Sequence, residues 1–371
     1  MKKSLIKPLT EFYRRHTVLF NLLFLFVFLY FFIFSLELMG TSLKMFGRGF
    51  AETLIRTTTN PFVGLFIGIL STSIIQSSSS TTSIVVGMVA GGALNVANAI
   101  PIIMGANIGT SVTNTLASLT QISRSLEFRR AFSAAIVHDF FNILSVMVLF
   151  PLQYFTNFLG LIATFLGENF QHIGGLKFLS PVKALTHPAV ELIKDLVGKH
   201  PWFLFILSLL LLLFSLTRMV KSLKVLVVKK AEAWFDRYLF KTAVRAFLVG
   251  LLLTVMVQSS SITTSLAVPM AGAGLLTIIQ IFPYTLGANI GTTVTAILAA
   301  LVTGNLAAII VAFSHLTFNV SGMLVWWPLK FVPVYLAQKF SEFATRKKIL
   351  PILYIIIVFF IIPIILISLF R

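Results

Sequence analysis

The sequence predicts an all-α polytopic membrane protein built from inverted-topology repeats, with re-entrant helical hairpins and discontinuous helices. Three observations predict it. Hydrophobic residues make up 57% of the chain and charged residues 11%, against roughly 25% charged in a soluble domain. The phrase Gln76-Ser77-Ser78-Ser79-Ser80-Thr81-Thr82-Ser83 returns as Gln258-Ser259-Ser260-Ser261-Ile262-Thr263-Thr264-Ser265, and Gly105-Ala106-Asn107-Ile108-Gly109-Thr110 returns at 287–292. Both echoes are 182 positions apart, so the two halves share one structural plan. Finally, the basic residues fall in blocks that orient the two halves oppositely.

The clearest spans are Val18 to Leu38, Ala131 to Pro151, Trp202 to Thr217, Leu306 to Pro328 and Ile349 to Phe370. Each approaches or exceeds the ~20 apolar residues that cross a hydrocarbon core. The first is too long for a signal peptide and has no small-residue cleavage site before Glu37. In chain order, 1–17 is a cytoplasmic N-terminus and 18–152 the first transmembrane repeat. An external polar loop at 153–200, with Gly174-Gly175, Pro181 and Pro188, leads to the second, inverted repeat at 201–330. A basic cytoplasmic segment at 331–348 precedes an additional C-terminal transmembrane helix at 349–371, which places the C-terminus outside. With no cysteine in the chain, disulfides, zinc knuckles and thiol redox sites are excluded.

The formal charge of +18 invites a nucleic-acid reading, but 21 of the 29 Lys and Arg residues sit in four blocks beside spans. These are Lys2 to Arg15, Arg124 to Arg130, Arg218 to Arg245 and Lys330 to Lys348. The positive-inside rule makes all four cytoplasmic, so the charge reports topology and no nucleic acid is expected as a partner. The first span then runs outward, while its counterpart, 182 positions on, runs inward to Arg218. This is an inverted repeat. Between 62 and 120, and between 243 and 303, Ser-rich and Gly-rich phrases break the apolar runs. Such irregular backbone is tolerated at membrane depth where it is buried in protein or lines a cavity.

Hydroxyls and amides among apolar runs are costly unless they bind something. Serine and glutamine both donate and accept hydrogen bonds, which suits sodium, a cation preferring oxygen, and equally an oxyanion. Half-helix N-termini add backbone N–H donors. Neither Ser phrase contains Lys or Arg, so no fixed salt bridge retains the ligand, as a carrier requires. Close helix packing by small residues is the alternative for a single phrase; two polar runs in register weigh against it. The paired Gly-Ala-Asn-Ile-Gly-Thr phrases read as helix breaks whose Asn107, Thr110, Asn289 and Thr292, with freed carbonyls, offer oxygens to a cation. Thr113 and Thr295 fall on the same helical face as those threonines.

A third echo sets His138-Asp139-Phe140-Phe141-Asn142 against His315-Leu316-Thr317-Phe318-Asn319. Asp139 is the acidic residue deep inside a span, a functional candidate by default, as a sodium ligand or paired with a base such as Arg130. His138 and His315 read as capped core residues, with a proton relay as the alternative. Asn142 and Asn319 are supporting positions. No His or Asp flanks either Ser run and no Gly-x-Ser-x-Gly elbow occurs, so the runs do not form a hydrolase centre, and no enzyme activity or cofactor is expected.

Taken together, the paired Gln-Ser-Ser-Ser and Gly-Ala-Asn-Ile-Gly-Thr phrases, with Arg130-Ala131-Phe132 and His138 to Asn142, resemble the type II sodium–phosphate cotransporter family, over roughly 60–151 and 243–330. The resemblance implies sodium-driven symport of inorganic phosphate by alternating access across a lipid bilayer. By the family pattern Gln76, Ser77, Ser78 and Ser79 with Gln258, Ser259, Ser260 and Ser261 line a midplane substrate site. Gln76, Gln258 and the threonines Thr292 and Thr295 would coordinate sodium, with Asn107, Thr110, Asn289 and Asp139 as further candidates. Three departures stand out. The 153–200 segment lacks the long glycosylated, disulfide-bearing loop of animal members, which suggests a bacterial cytoplasmic-membrane protein. The chain ends after one terminal span, with no appended soluble regulatory domain. The 41–61 segment has Glu52 but no Asp, so the extra sodium site of electrogenic animal members does not carry over. The same fold carrying another tetrahedral oxyanion, an anion channel without sodium coupling and a non-transporting scaffold are the competing readings.

Overall fold

The computed structural model describes residues 17–46, 55–56, 58–172, 180–198, 200–234 and 240–370. The basic cluster at 2–15, together with Glu52, Gly174-Gly175, Arg237 and Arg371, lies outside the described residues. Every described element is helical. The chain is an all-α, multi-pass membrane protein.

In the first half, α1 (Thr17–Phe46) precedes a helical hairpin, α2 (Pro61–Ile75) and α3 (Ser78–Ala90). Then come α4 (Val96–Thr110), its short continuation α5 (Val112–Ser118), and the long α6 (Ser125–Thr156). The second half repeats this plan with α9 (Pro201–Trp234), hairpin α10 (Ala243–Val257) and α11 (Ser260–Gly272), α12 (Ile278–Thr303) and α13 (Leu306–Trp326). The helices of the second hairpin begin and end 182 positions after those of the first. Among the described residues, seven stretches are long and apolar enough to span a membrane: α1, α4 with α5 through Gln121, α6, Pro201–Leu223 of α9, α12, α13 and Leu350–Phe370. The hairpin helices, 13 and 15 residues long, reach only ~20–22 Å at 1.5 Å per residue, less than the bilayer core. They are re-entrant.

Hydrogen bonds at the helix ends set the hairpins on opposite faces. The N-cap of α2, Asn60, donates through Nδ2 to Phe370 O at 3.0 Å, and Asn98 at the start of α4 donates to Ile55 O and Thr58 Oγ1. The start of α12 instead reaches Phe240 O through Gln280 Nε2, and Arg129 O on α6 accepts from Ser341 Oγ of α14 (Phe331–Arg346) at 2.6 Å. The closing segment, α15 (Leu350–Ile356), a π turn (Ile357–Ile361) and α16 (Ile362–Phe370), runs from the second face to the first. One face therefore carries the basic blocks around 124–130, 241–245 and 339–348.

Burial separates centre from periphery. In the most apolar 18-residue stretch of each span, 83% of the residues of α4–α5 and 72% of those of α12 are buried, against 17% in α1 and in the closing segment. The central pair is thus surrounded by protein, and the outer helices present Phe, Leu and Ile to lipid. Within each half, α2 lies along α4 and α10 along α12.

The glycines make that approach possible, and here the expected helix breaks are corrected. A Cβ on Gly105 would fall 1.9 Å from Leu65 O, and one on Gly287 2.0 Å from Phe247 O. Both lie inside continuous helix, α4 and α12, so their carbonyls stay in the helical ladder. Small residues let the backbones touch; the helix gives way at Ser111, between α4 and α5, and Pro101 and Pro283 each remove one N–H from the ladders of α4 and α12.

The 153–200 segment also differs from the loop expected. It carries two helices, α7 (Phe158–His172) and α8 (Ser180–Val197). Helix α7 packs on α13, as α14 packs on α6, so each repeat sends an amphipathic helix across to the other. Helix α8 docks on α1, where Glu37 accepts from Thr186 Oγ1 and pairs with His187 at 3.1 Å. That contact accounts for a carboxylate in an otherwise apolar span.

Candidate functional site at the hairpin tips

Each hairpin turns in two residues. Gln76 caps α2 with φ 56° and ψ 30°, and Gln258 caps α10 with φ 58° and ψ 28°. A non-glycine residue in this left-handed region costs roughly 1–2 kcal/mol, and such strain persists where the surroundings impose it, often at functional sites. Both glutamines bond back through N–H at 2.7 Å, to Thr72 O and Thr254 O. Ser77 and Ser259 then turn extended and cap α3 and α11, their Oγ atoms accepting from Ser80 N and Ile262 N. A helix C-terminus and a helix N-terminus thus meet at each tip.

The two tips face each other. Ser79 Oγ donates across the halves to Gln258 O at 3.3 Å. Between them lies a cavity of about 500 Å³ lined by Gln76, Ser77, Ser79, Ser80, Ser259 and Ser261, with Thr113 from α5 and Leu216, Thr217 and Lys221 from α9. The N-termini of α3 and α11 bring positive dipole ends and free N–H groups to it, suited to an anion, while the preceding carbonyl ends suit a cation.

The structure separates the predicted residues by position. Gln76, Ser77, Ser79, Ser259 and Ser261 line the cavity. Ser78 and Ser260 are buried beside it, and Gln258 is buried with Oε1 accepting from Thr295 Oγ1 at 2.8 Å and Nε2 donating to Val255 O at 2.6 Å. Thr110 and Thr292 instead donate back to Ala106 O and Ala288 O on their own helices.

Asn107, Asn289 and Asn142 belong to a network behind the cavity. Thr264 Oγ1 donates to Asn114 Oδ1 at 2.9 Å, and Asn114 Nδ2 meets His138 Nδ1 at 3.1 Å. His138 Nε2 meets Asn289 Oδ1 at 2.6 Å, Asn289 Nδ2 donates to Asn142 Oδ1 at 2.8 Å, and Asn142 Nδ2 donates to Asn107 O at 2.7 Å. One assignment satisfies every link: His138 accepts at Nδ1 and donates from Nε2. The pseudo-symmetric contact, His315 Nε2 to Asn107 Oδ1, is longer at 3.4 Å. Asn319 donates to its own helix at His315 O.

Asp139 is fully buried away from the cavity lining. Its Oδ2 accepts from Thr115 Oγ1 at 3.1 Å and from Tyr354 OH at 3.0 Å, while Oδ1 has no partner. The expected Arg130 partnership is corrected: Arg130 lies about two and a half turns away along α6, exposed at the basic face.

Reading the sequence missed Thr72 and Thr254, buried just behind the tips with unpartnered hydroxyls. Their signal was present: they too are 182 positions apart. It also missed Lys221 and Tyr354, which no echo marks. Among the described residues, no group of three His, Cys, Asp or Glu side chains gathers to hold a metal ion.

A family model described as Na+/Pi-cotransporter matches residues 31–174 and 211–326. Sodium-dependent phosphate transport protein 2B of Homo sapiens is 36% identical over 439 residues, covering 90% of this chain and 62% of that protein. Sodium-dependent phosphate transport protein 2A of Mus musculus is 33% identical over 414 residues, covering 90% and 65%. The chain spans a little over three fifths of the length of these relatives. No solved structure matches it.

Proposed function

Since this chain belongs to the Na+/Pi-cotransporter family, we propose that it is a sodium-coupled symporter importing inorganic phosphate by alternating access. The observation that carries this reading is the opposition of two strained Gln-Ser turns across one hydroxyl-lined cavity. Phosphate oxygens accept from the serine hydroxyls and from the N-termini of α3 and α11. Sodium takes the amide, hydroxyl and carbonyl oxygens around Gln76, Gln258 and Thr295, and a further ion is held by the free Oδ1 of Asp139.

Electrical work makes coupling necessary. Moving one negative charge inward against 100 mV costs about 2.3 kcal/mol, so a divalent phosphate meets roughly 4.6 kcal/mol. Two or more sodium ions cancel that transfer and add their own gradient. The inverted hairpins, entering from opposite faces, supply two gates related by symmetry, and rocking one half against the other exposes the cavity alternately. The basic face is cytoplasmic by the positive-inside rule.

Radiolabelled phosphate uptake into proteoliposomes, with an inward sodium gradient compared with an inward choline gradient, tests the proposal. Accumulation above equilibrium with sodium alone supports symport. Equal, merely equilibrating flux in both identifies a channel and overturns it. Sulfate and arsenate run in parallel separate phosphate from other tetrahedral oxyanions.

A further inference from the structure

A second polar cavity, of about 400 Å³, opens on the basic face between the start of α6, the α11–α12 turn and α14. Its wall includes Arg129, Arg130 and Ser133 from α6, Thr277 and Ile278 at the start of α12, and Gln338 from α14. We propose that this cavity binds a phosphate group, carried by inorganic phosphate or by a phosphomonoester lipid headgroup, independently of the hairpin-tip cavity.

The wall is built around the arginines. Gly274, with φ +77°, turns the chain from α11 into α12, and a Cβ there would fall 2.7 Å from Arg130 Nη1. The bare backbone makes room for the guanidinium. Arg129 holds α14 through its carbonyl, which accepts from Ser341 Oγ, so its side chain is not needed for that packing. The carboxylate at the rim, Glu342, is already paired with Lys339 at 3.4 Å, which leaves the two arginines as the dominant charge. Guanidinium groups are suited to phosphate oxygens by their planar set of donors.

Two further groups require an acceptor. Ser133 is only 7% exposed and its Oγ has no protein partner, an arrangement rare for a buried hydroxyl. The Thr277–Gln280 capping box engages the N–H groups of those two residues, while those between them face out of the end of the 26-residue α12. An anion seated against Arg130 answers both.

The pseudo-symmetry provides an internal comparison. On the opposite face a cavity of about 430 Å³ lies between α7 and the start of α4, lined by Val96, Ala97, Thr164 and Glu168. Thr164 and Glu168 occupy the places that Gln338 and Glu342 hold on α14. No arginine lines it: in the register that pairs His138 with His315, Leu306, Ala307 and Ile310 of α13 stand where α6 has Arg129, Arg130 and Ser133. The fold therefore makes two such cavities, and only the one on the basic face is equipped for an anion.

The test measures binding, not transport. Full-length protein in phosphatidylcholine nanodiscs, in sodium-free choline buffer, is titrated with labelled inorganic phosphate; parallel nanodiscs contain phosphatidic acid, and lipid retained on the protein is read by native mass spectrometry. Saturable sodium-independent phosphate binding, weakened about tenfold or more in Arg129→Gln/Arg130→Gln and less in Ser133→Ala, supports the site with free phosphate as its ligand. Selective retention of phosphatidic acid, lost in the double variant, supports the site with a headgroup as its ligand. Sodium-dependent phosphate binding retained by the same variants shows that they are folded and that the tip cavity is separate. Absence of both kinds of binding in the wild type, or equal binding in the folded double variant, overturns the proposal.

Discussion

Thr295 donates a 2.8 Å hydrogen bond to Gln258 Oε1, while the equivalent hydroxyl in the first half, Thr113 Oγ1, is buried without a partner. The backbones around the two glutamines have nearly identical dihedral angles. The side chains do not follow: Gln258 is folded onto α12, whereas Gln76 is exposed toward the cavity. A pseudo-symmetric scaffold thus presents one closed and one open amide at the cavity.

If both amides serve the transported ligands, Gln76→Ala and Gln258→Ala each lower sodium-driven phosphate uptake at least about tenfold, the loss of one or two strong polar contacts, while size-exclusion profiles stay unchanged. Thr295→Val, which removes the hydroxyl holding Gln258, raises the sodium concentration for half-maximal uptake several-fold. Normal uptake by both glutamine variants would remove the tip cavity from the transport path.

Asp139 has one oxygen tied to Thr115 and Tyr354 and one free. Asp139→Asn is expected to shift sodium activation of uptake to higher concentration by about tenfold, in line with losing one charged ligand, with little change in apparent phosphate affinity. Tyr354→Phe, which removes one donor and leaves the charge, gives a smaller shift of the same sign. Unchanged sodium dependence in both variants makes the carboxylate structural.

The His138–Asn289 link at 2.6 Å joins the two halves. His138→Ala leaves the Asn289 carbonyl buried and unpaired, at a cost of about 1–3 kcal/mol, visible as a lower melting temperature in detergent. His138→Gln retains a donor near the same place and recovers most of that loss. Uptake that survives in His138→Gln with its pH profile intact argues against a proton-relay role.

Gly105 and Gly287 separate packing from coordination. Gly105→Ala and Gly287→Ala drive a methyl group into backbone oxygen about 2 Å away and should cost 1–3 kcal/mol or more by overpacking, read as lost folded yield. Gly40→Ala, with nothing within 4 Å of the added carbon, is the tolerated control. Wild-type yield for all three would restore the helix-break reading.

Much of this architecture is legible in the chain itself. The 182-residue register, the charge blocks and the apolar runs identify a membrane protein with two related halves, because hydropathy and chain period report the solvent and the local backbone directly. They also locate both tips, since a polar run in an apolar setting is costly wherever it falls. Partners across the fold are another matter. Whether Gly105 bends a helix or admits a neighbour depends on Leu65 lying against it, and whether Arg130 can reach Asp139 depends on the roughly two and a half turns of α6 between them and on where each faces. The closed Thr295–Gln258 pair and the open Thr113 arise where each hairpin packs on the central span of its own half, and the His138–Asn289 bridge over 151 positions arises only when the halves are brought face to face. Sequence determined what each half is; tertiary packing decided how the halves, identical in plan, were made unequal in detail, because side-chain partnership depends on distance in space and not on spacing along the chain.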